Sequence, residues 1–263
     1  MVATKPIGFA ISMLPWRTVF VLLALFTFLT ALSIWFVVPR DGNRTSSKRT
    51  TFTGQLRQMV AFFADPRFWF VAPVVTASQS VMFAYLYLWV GPWMRDVAGM
   101  AAAEAGTYMM FAFTGAAAGY FLNGIFADLF MRRGWLSWEK MYLYSGALLT
   151  LVLAFITAEN GRGSAALWGI VMFLSTMTMI SFPLMRKLYE SHEVGRALSL
   201  LNFTIFLFSF IFQWFIGVVL DFYPVADGLF SPEGYRTSLA VIVILNLAAV
   251  IHLYFELKKR RII

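Results

Sequence analysis

Long apolar runs, each closed by charged residues, set the pattern of this chain. Apart from a neutral His252, the uncharged stretches are Thr18–Val38, Phe68–Met94, Ala105–Ala127, Met141–Ala158, Gly163–Met185, Ala197–Leu220 and Thr237–Phe255. Each reaches or exceeds the ~18 residues an α-helix needs to cross roughly 30 Å of hydrocarbon at about 1.5 Å per residue. No stretch alternates with the period of a barrel strand, and a helix satisfies its own backbone hydrogen bonds in lipid. The pattern predicts an all-α fold, a polytopic membrane bundle of about seven transmembrane helices.

The polar connections divide this bundle. Residues 1–38 read as a stub of one helix, interrupted by Lys5, Pro6 and Pro15, followed by the first full span. Residues 39–67 read as a linker in which Phe52, Leu56, Met59, Val60 and Phe63 share one helical face, either a surface helix or only a basic tether. Asp65 followed by Pro66 is a helix-start signal for the second span. Residues 68–256 form a six-helix domain, and 257–263 a basic tail.

Composition agrees with a membrane protein: 60% of the 263 residues are hydrophobic, 13% are charged, and no cysteine is present to make a disulfide or a thiolate site. The net charge of +8 would suit nucleic acid only on a folded basic face, and the placement of the charges points elsewhere. Arg40, Arg44, Lys48, Arg49, Arg57, Arg67, Arg132, Arg133, Lys140, Arg186, Lys187, Arg196 and the "KKRR" tail at 258–261 all fall on one side, sixteen of 21 basic residues. By the positive-inside rule that side is cytoplasmic in a plasma (inner) membrane, facing anionic head groups, with no nucleic-acid partner. Seven crossings that end inside begin outside, which suggests a segment before Met1.

No charged residue lies within an uncharged run, so any solute site rests on neutral polar groups. Ser78, Met82, Tyr85 and Trp89 fall at i, i+4, i+7 and i+11, and Asn202, Phe206, Ser209 and Gln213 repeat that spacing. With Gln79, Ser175 and Thr178 these stripes suit a small polar organic solute near the midplane; equally, such residues bond neighbouring helices. Gly115 and Gly119 in "GAAAG" make a small face for close helix packing. Trp89 and Trp93 read as an outer aromatic belt, and His252 as an interfacial residue without metal partners. Neither a metal nor a cofactor is expected.

Three stretches carry a resemblance: "ATKPIGFAISMLPWRTVF", "LYLWVGPWMRDVAGM" and "GIFADLFMRRG". The last is similar to Gly-x-x-x-Asp-Arg-x-Gly-Arg-Arg, the second cytoplasmic motif of the major facilitator superfamily, with Leu129 and Met131 departing from it. The chain resembles helices six to twelve of that family, the C-terminal half of its fold. The resemblance implies a solute carrier, active with a separate N-terminal half or by self-association, and an inner gate latch at Gly124, Asp128, Arg132 and Arg133.

Asp128 stands at a helix C-terminus, where the dipole disfavours it. The span beginning at Ala197 is expected to offer it free N–H groups; the bland alternative makes the arginines membrane anchors. An enzyme is not expected, since "YESHE", with Glu190, His192 and Glu193, is the one cluster of titratable groups. A membrane sensor or assembly subunit on a carrier fold stays open.

Overall fold

The computed structural model describes residues 15–37, 54 and 60–262. The stub at 1–14, Arg40, Arg44, Arg49 and Arg57 of the linker, and Phe52, Leu56 and Met59 of the expected surface helix lie outside the described residues.

The chain divides between residues 55 and 56 into two units. The first contains α1 (Trp16–Val37), whose Thr27, Thr30 and Ser33 hydroxyls donate to the carbonyls of Leu23, Phe26 and Leu29, each at 2.9 Å. The few polar side chains of this apolar helix are thus satisfied without leaving it, as a lipid-facing helix requires.

The second unit contains α2 (Pro66–Asp96), α3 (Ala102–Arg132), α4 (Trp138–Glu159), α5 (Leu167–Leu188), α6 (Ser191–Asp221) and α7 (Pro232–Lys259). With α1, that makes seven helices among the described residues that are long and apolar enough to cross a membrane. Several run a turn or more past the uncharged stretches, because charged side chains near a helix end reach out of the hydrocarbon.

Local chemistry sets the ends. The Asp65 carboxylate caps α2 by accepting the Arg67 N–H at 2.8 Å, ahead of Pro66 in the first turn. Ser137 and Ser231 cap α4 and α7 in the same way, accepting from Lys140 and Glu233 at 3.3 Å each. Asn160, at φ 42°, closes α4 in the left-handed region. Glu159 then accepts the Gly161 and Ser164 N–H groups at 3.0 and 2.9 Å, so α5 starts only at Leu167.

Ion pairs show that helix ends alternate between two faces. Arg67 lies 4.0 Å from Glu193, and Lys187 lies 3.4 Å from Glu139, at what we term the basic end. At the opposite end Arg162 pairs with Glu104, and Arg236 donates to the Ala158 carbonyl at 2.8 Å.

The expected small face packs closely. A Cβ on Gly115 would sit 2.1 Å from the Gly169 carbonyl oxygen, and one on Gly119 would sit 1.9 Å from Thr176 Oγ1. Helices α3 and α5 therefore meet nearly backbone to backbone. The aromatic belt expected at Trp93 does not form: that ring is wholly buried and packs edge-on against Trp168. Tyr87 and Leu88 take the exposed positions nearby, because α2 is the innermost helix of the unit and turns most of its surface inward.

Candidate functional site

Helix α2 departs from regular geometry three times, and a neighbouring helix meets each departure. Pro73 has no N–H, so the Trp69 carbonyl one turn earlier loses its helical partner. His252 on α7 supplies one, with Nε2 3.1 Å from that oxygen. Next, the Tyr142 hydroxyl of α4 enters the helix ladder: it donates to the Val71 carbonyl at 2.6 Å and accepts the Val75 N–H at 2.8 Å. Finally, a π-helical turn runs from Tyr85 to Trp89. Helix α6 brackets that turn, since Gln213 Nε2 donates to the Phe83 carbonyl at 3.5 Å and Trp89 Nε1 donates to the Gln213 carbonyl at 3.1 Å.

Between these breaks lies a polar belt. Gln79 Nε2 donates to the Ser175 carbonyl at 2.6 Å and lies 3.4 Å from Thr178 Oγ1. There α5 itself changes to a 3₁₀ turn, Thr178–Ile180, and Thr178 Oγ1 also donates to Ser175 at 2.6 Å. Ser78 donates to Asn246 Oδ1 of α7 at 3.5 Å, and Ser80 to the Ile205 carbonyl of α6 at 3.0 Å. Gln79 Oε1 is buried without a partner, as is the Tyr85 hydroxyl one turn and a half further on. Tyr85 stacks on Trp168 with ring centroids 4.3 Å apart, and the indole N–H of Trp168 is likewise buried without a partner.

The candidate solute residues thus separate. Gln79 and Thr178 meet where α2 and α5 touch, Ser78 turns to Asn246 of α7, and Tyr85 packs on Trp168 of α5; all four are buried. Gln213 is half-buried at the α2–α6 contact, and Asn202 is exposed on α6, without a side-chain hydrogen bond to any described residue.

The conspicuous member that sequence reading missed is Asp96, at the far end of α2. Its side chain is wholly buried and receives Arg95 Nε at 2.6 Å, the Tyr235 hydroxyl at 2.9 Å and the Phe230 N–H at 3.4 Å. A carboxylate closing a helix C-terminus opposes the dipole and needs such donors, which was the available signal. Asn123, one turn past Gly119 on the small packing face, donates Nδ2 to Thr176 Oγ1 at 2.5 Å across the α3–α5 seam, while its Oδ1 is buried without a partner.

At the basic end, Asp65, Arg67, Tyr189 and Glu193 form a cluster joining the starts of α2 and α6. Arg67 Nη1 donates to the Leu188 carbonyl at 3.2 Å, and its guanidinium lies 4.4 Å from the Tyr189 ring centroid. Burial works to raise the Asp65 carboxyl, but the hydrogen bonds from Arg67 outweigh it and hold the group below the ordinary carboxylate value. Burial, then the Asp65 charge, raises the Tyr189 phenol. Of the "YESHE" cluster, Glu193 faces Arg67, while His192 Nδ1 lies 3.4 Å from Glu190.

A family model described as Major Facilitator Superfamily matches residues 6–213. The chain belongs to the major facilitator superfamily. No curated protein matches it. The family's members are membrane transporters rather than enzymes, and the seven long apolar helices of this member fit that class.

The stretch expected to form an inner gate lies at the basic end of α3. Gly124, Asp128, Arg132 and Arg133 are all exposed. A Cβ on Gly124 would meet nothing within 4 Å, in contrast to Gly115 and Gly119 on the same helix. Asp128 makes no ion pair or side-chain hydrogen bond with a described residue, and Arg133 lies 4.9 Å from the Trp135 ring. The expected hydrogen bond from the start of α6 to Asp128 is not formed. Helix α3 packs on α5, while α6 packs on α2 and faces the Arg67 cluster instead.

Proposed function

We propose that this chain is the C-terminal part of a secondary-active carrier that moves a small polar organic solute by alternating access. In this reading it works in the plasma (inner) membrane with its basic tail in the cytoplasm. The observation that carries it is the pairing of two interrupted helices, α2 and α5, through Gln79, whose Oε1 is buried and unmatched. Irregular backbone at membrane depth is tolerated where protein or a water-filled cavity covers it, and carriers build solute sites on such helices. Ser78, Gln79, Tyr85 and Thr178 form the solute-facing group on this side, and Asn202 and Gln213 of α6 complete it from the outward face.

Alternating access needs a second half to rock against. That half is a separate N-terminal chain or a second copy of this one, and it docks on the exposed gate face of α3 at Gly124 and Asp128. Residues 68–256 are the moving unit, 1–38 and 39–67 the preceding spans and linker, and 257–263 the tail.

A thermal-shift panel of sugars, polyols, amino acids and organic acids on the purified chain tests the site. A neutral polar solute is expected to raise the melting temperature, and Gln79→Ala to abolish that rise. Uptake of the same solute into proteoliposomes is expected once a complementing half is present. Stabilisation without flux in the complemented vesicles would convert the reading to a sensor, and a panel without any Gln79-dependent rise would remove the site.

A further inference from the structure

Two cavities meet at the basic end of the six-helix unit, where α2, α6 and α7 come together, and they share Trp69 and His252. The deeper, of about 300 Å³, lies between Pro73 and Ala77 of α2, Phe208 and Phe212 of α6, and Leu245 and Ala248 of α7. Its walls are almost wholly apolar, and it is an open groove: Leu245 and Phe208 are 46% and 38% exposed. The shallower, of about 590 Å³, is bordered by Glu256, Lys259 and Arg260.

Two hydrogen bonds hold the neck between them. Trp69 Nε1 donates to the Phe63 carbonyl at 2.6 Å, while the Trp69 carbonyl, freed by Pro73, takes His252 Nε2. A carbonyl only accepts, so the imidazole proton sits on Nε2. One polar atom in the deeper wall is unmatched: Thr76 Oγ1 is buried, on a residue 6% exposed, and has no hydrogen-bond partner.

The mouth is positive. Arg260 Nε lies 3.6 Å from Glu256 Oε2, and its guanidinium lies 4.1 Å from the Phe70 ring centroid. This pairing neutralises the one carboxylate there, and Lys259 makes no ion pair with a described residue. An uncompensated cation beside an apolar slot about 12 Å long, the rise of α2 from Trp69 to Ala77, matches an amphiphile with an anionic head.

We propose that this groove holds one anionic phospholipid from the leaflet on the basic side. The phosphate lies at Lys259 and Arg260, and one acyl chain fills the slot between Pro73 and Phe208. With Glu256 already engaged by Arg260, no free carboxylate remains for the amine of a zwitterionic head, which sets the preference.

Native mass spectrometry of the full chain in detergent, equilibrated with phosphatidylglycerol, phosphatidylethanolamine or phosphatidylcholine at equal concentration, tests this. The single-lipid adduct is expected to favour phosphatidylglycerol by about fivefold, the order one uncompensated basic side chain near a membrane surface supplies. Lys259→Gln with Arg260→Gln is expected to bring that preference near parity. Ala248→Trp, which fills the slot without touching a charge, is expected to remove the adduct. Lys258→Gln with Arg261→Gln, outside the groove, is expected to leave both intact. Equal loss from the two charge pairs would mean diffuse attraction to the tail and overturn the site. So would equal retention of the three lipids, or a preference for phosphatidylethanolamine. Should the Lys259/Arg260 variant fail to fold, retention of the adduct by Ala248→Trp overturns the proposal on its own.

Discussion

Helices α2 and α3 are both 31 residues long, yet they solve opposite problems. In α2, 78% of the most apolar window is buried inside the protein, against 22% in α3. The buried helix is the irregular one: His252, Tyr142 and Gln213 each supply a hydrogen bond that the backbone of α2 lacks or shares. The exposed helix is regular, with glycines on one side for close packing and an open face ending at Asp128 on another. The contrast teaches that irregularity is affordable only where neighbours reach it. Lipid offers α3 no such help, so α3 keeps its ladder intact.

The sharpest way to break the contrast is to put a side chain on the two kinds of glycine in α3. Gly119→Leu forces a Cβ into Thr176 and the Phe173 carbonyl, and is expected to cost about 3 kcal/mol or more, read as loss of the folded peak in thermal unfolding in detergent. Gly124→Ala, in open space, is expected to stay within about 0.5 kcal/mol of the parent. Equal destabilisation by both would mean the faces of α3 are not distinct.

Tyr142→Phe removes the hydroxyl inserted into α2 and is expected to cost about 1 to 2 kcal/mol in denaturant titration, with faster amide exchange at Val75. A neutral result would show that the Val71–Val75 rung closes by itself.

A double-mutant cycle isolates the Pro73 repair. His252→Ala is expected to cost about 1 kcal/mol, and clearly less in a Pro73→Ala background where Trp69 regains its helical partner. Additive costs would disconnect the two residues.

The smallest effect concerns the Asp65 cap. Its carboxyl is held below the ordinary value, so its stabilisation is present above the unfolded carboxylate value and lost as pH falls through the depressed one. Asp65→Asn is therefore expected to flatten the acid limb of the melting-temperature profile below the ordinary carboxylate range. An unchanged limb would place acid sensitivity elsewhere.

Much of this was readable along the chain. The seven spans, the Asp65–Pro66 start and the Gly115/Gly119 face all follow from local rules, since lipid forbids charge and close helices forbid bulk. Trp93 was misplaced because an aromatic near a span end looks the same whether it faces lipid or a neighbour. Asp96 escaped notice because its donors, Tyr235 and Phe230, lie more than 130 residues away in sequence.

What the amino-acid order determined alone is the placement of the seven membrane-length helices among the described residues, because the hydrocarbon thickness acts on each stretch separately. Which helix is innermost, and that His252 and Tyr142 each complete a backbone hydrogen bond of α2, only the tertiary structure decided. Those bonds join backbone and side chains of different helices, and no spacing within one helix encodes them.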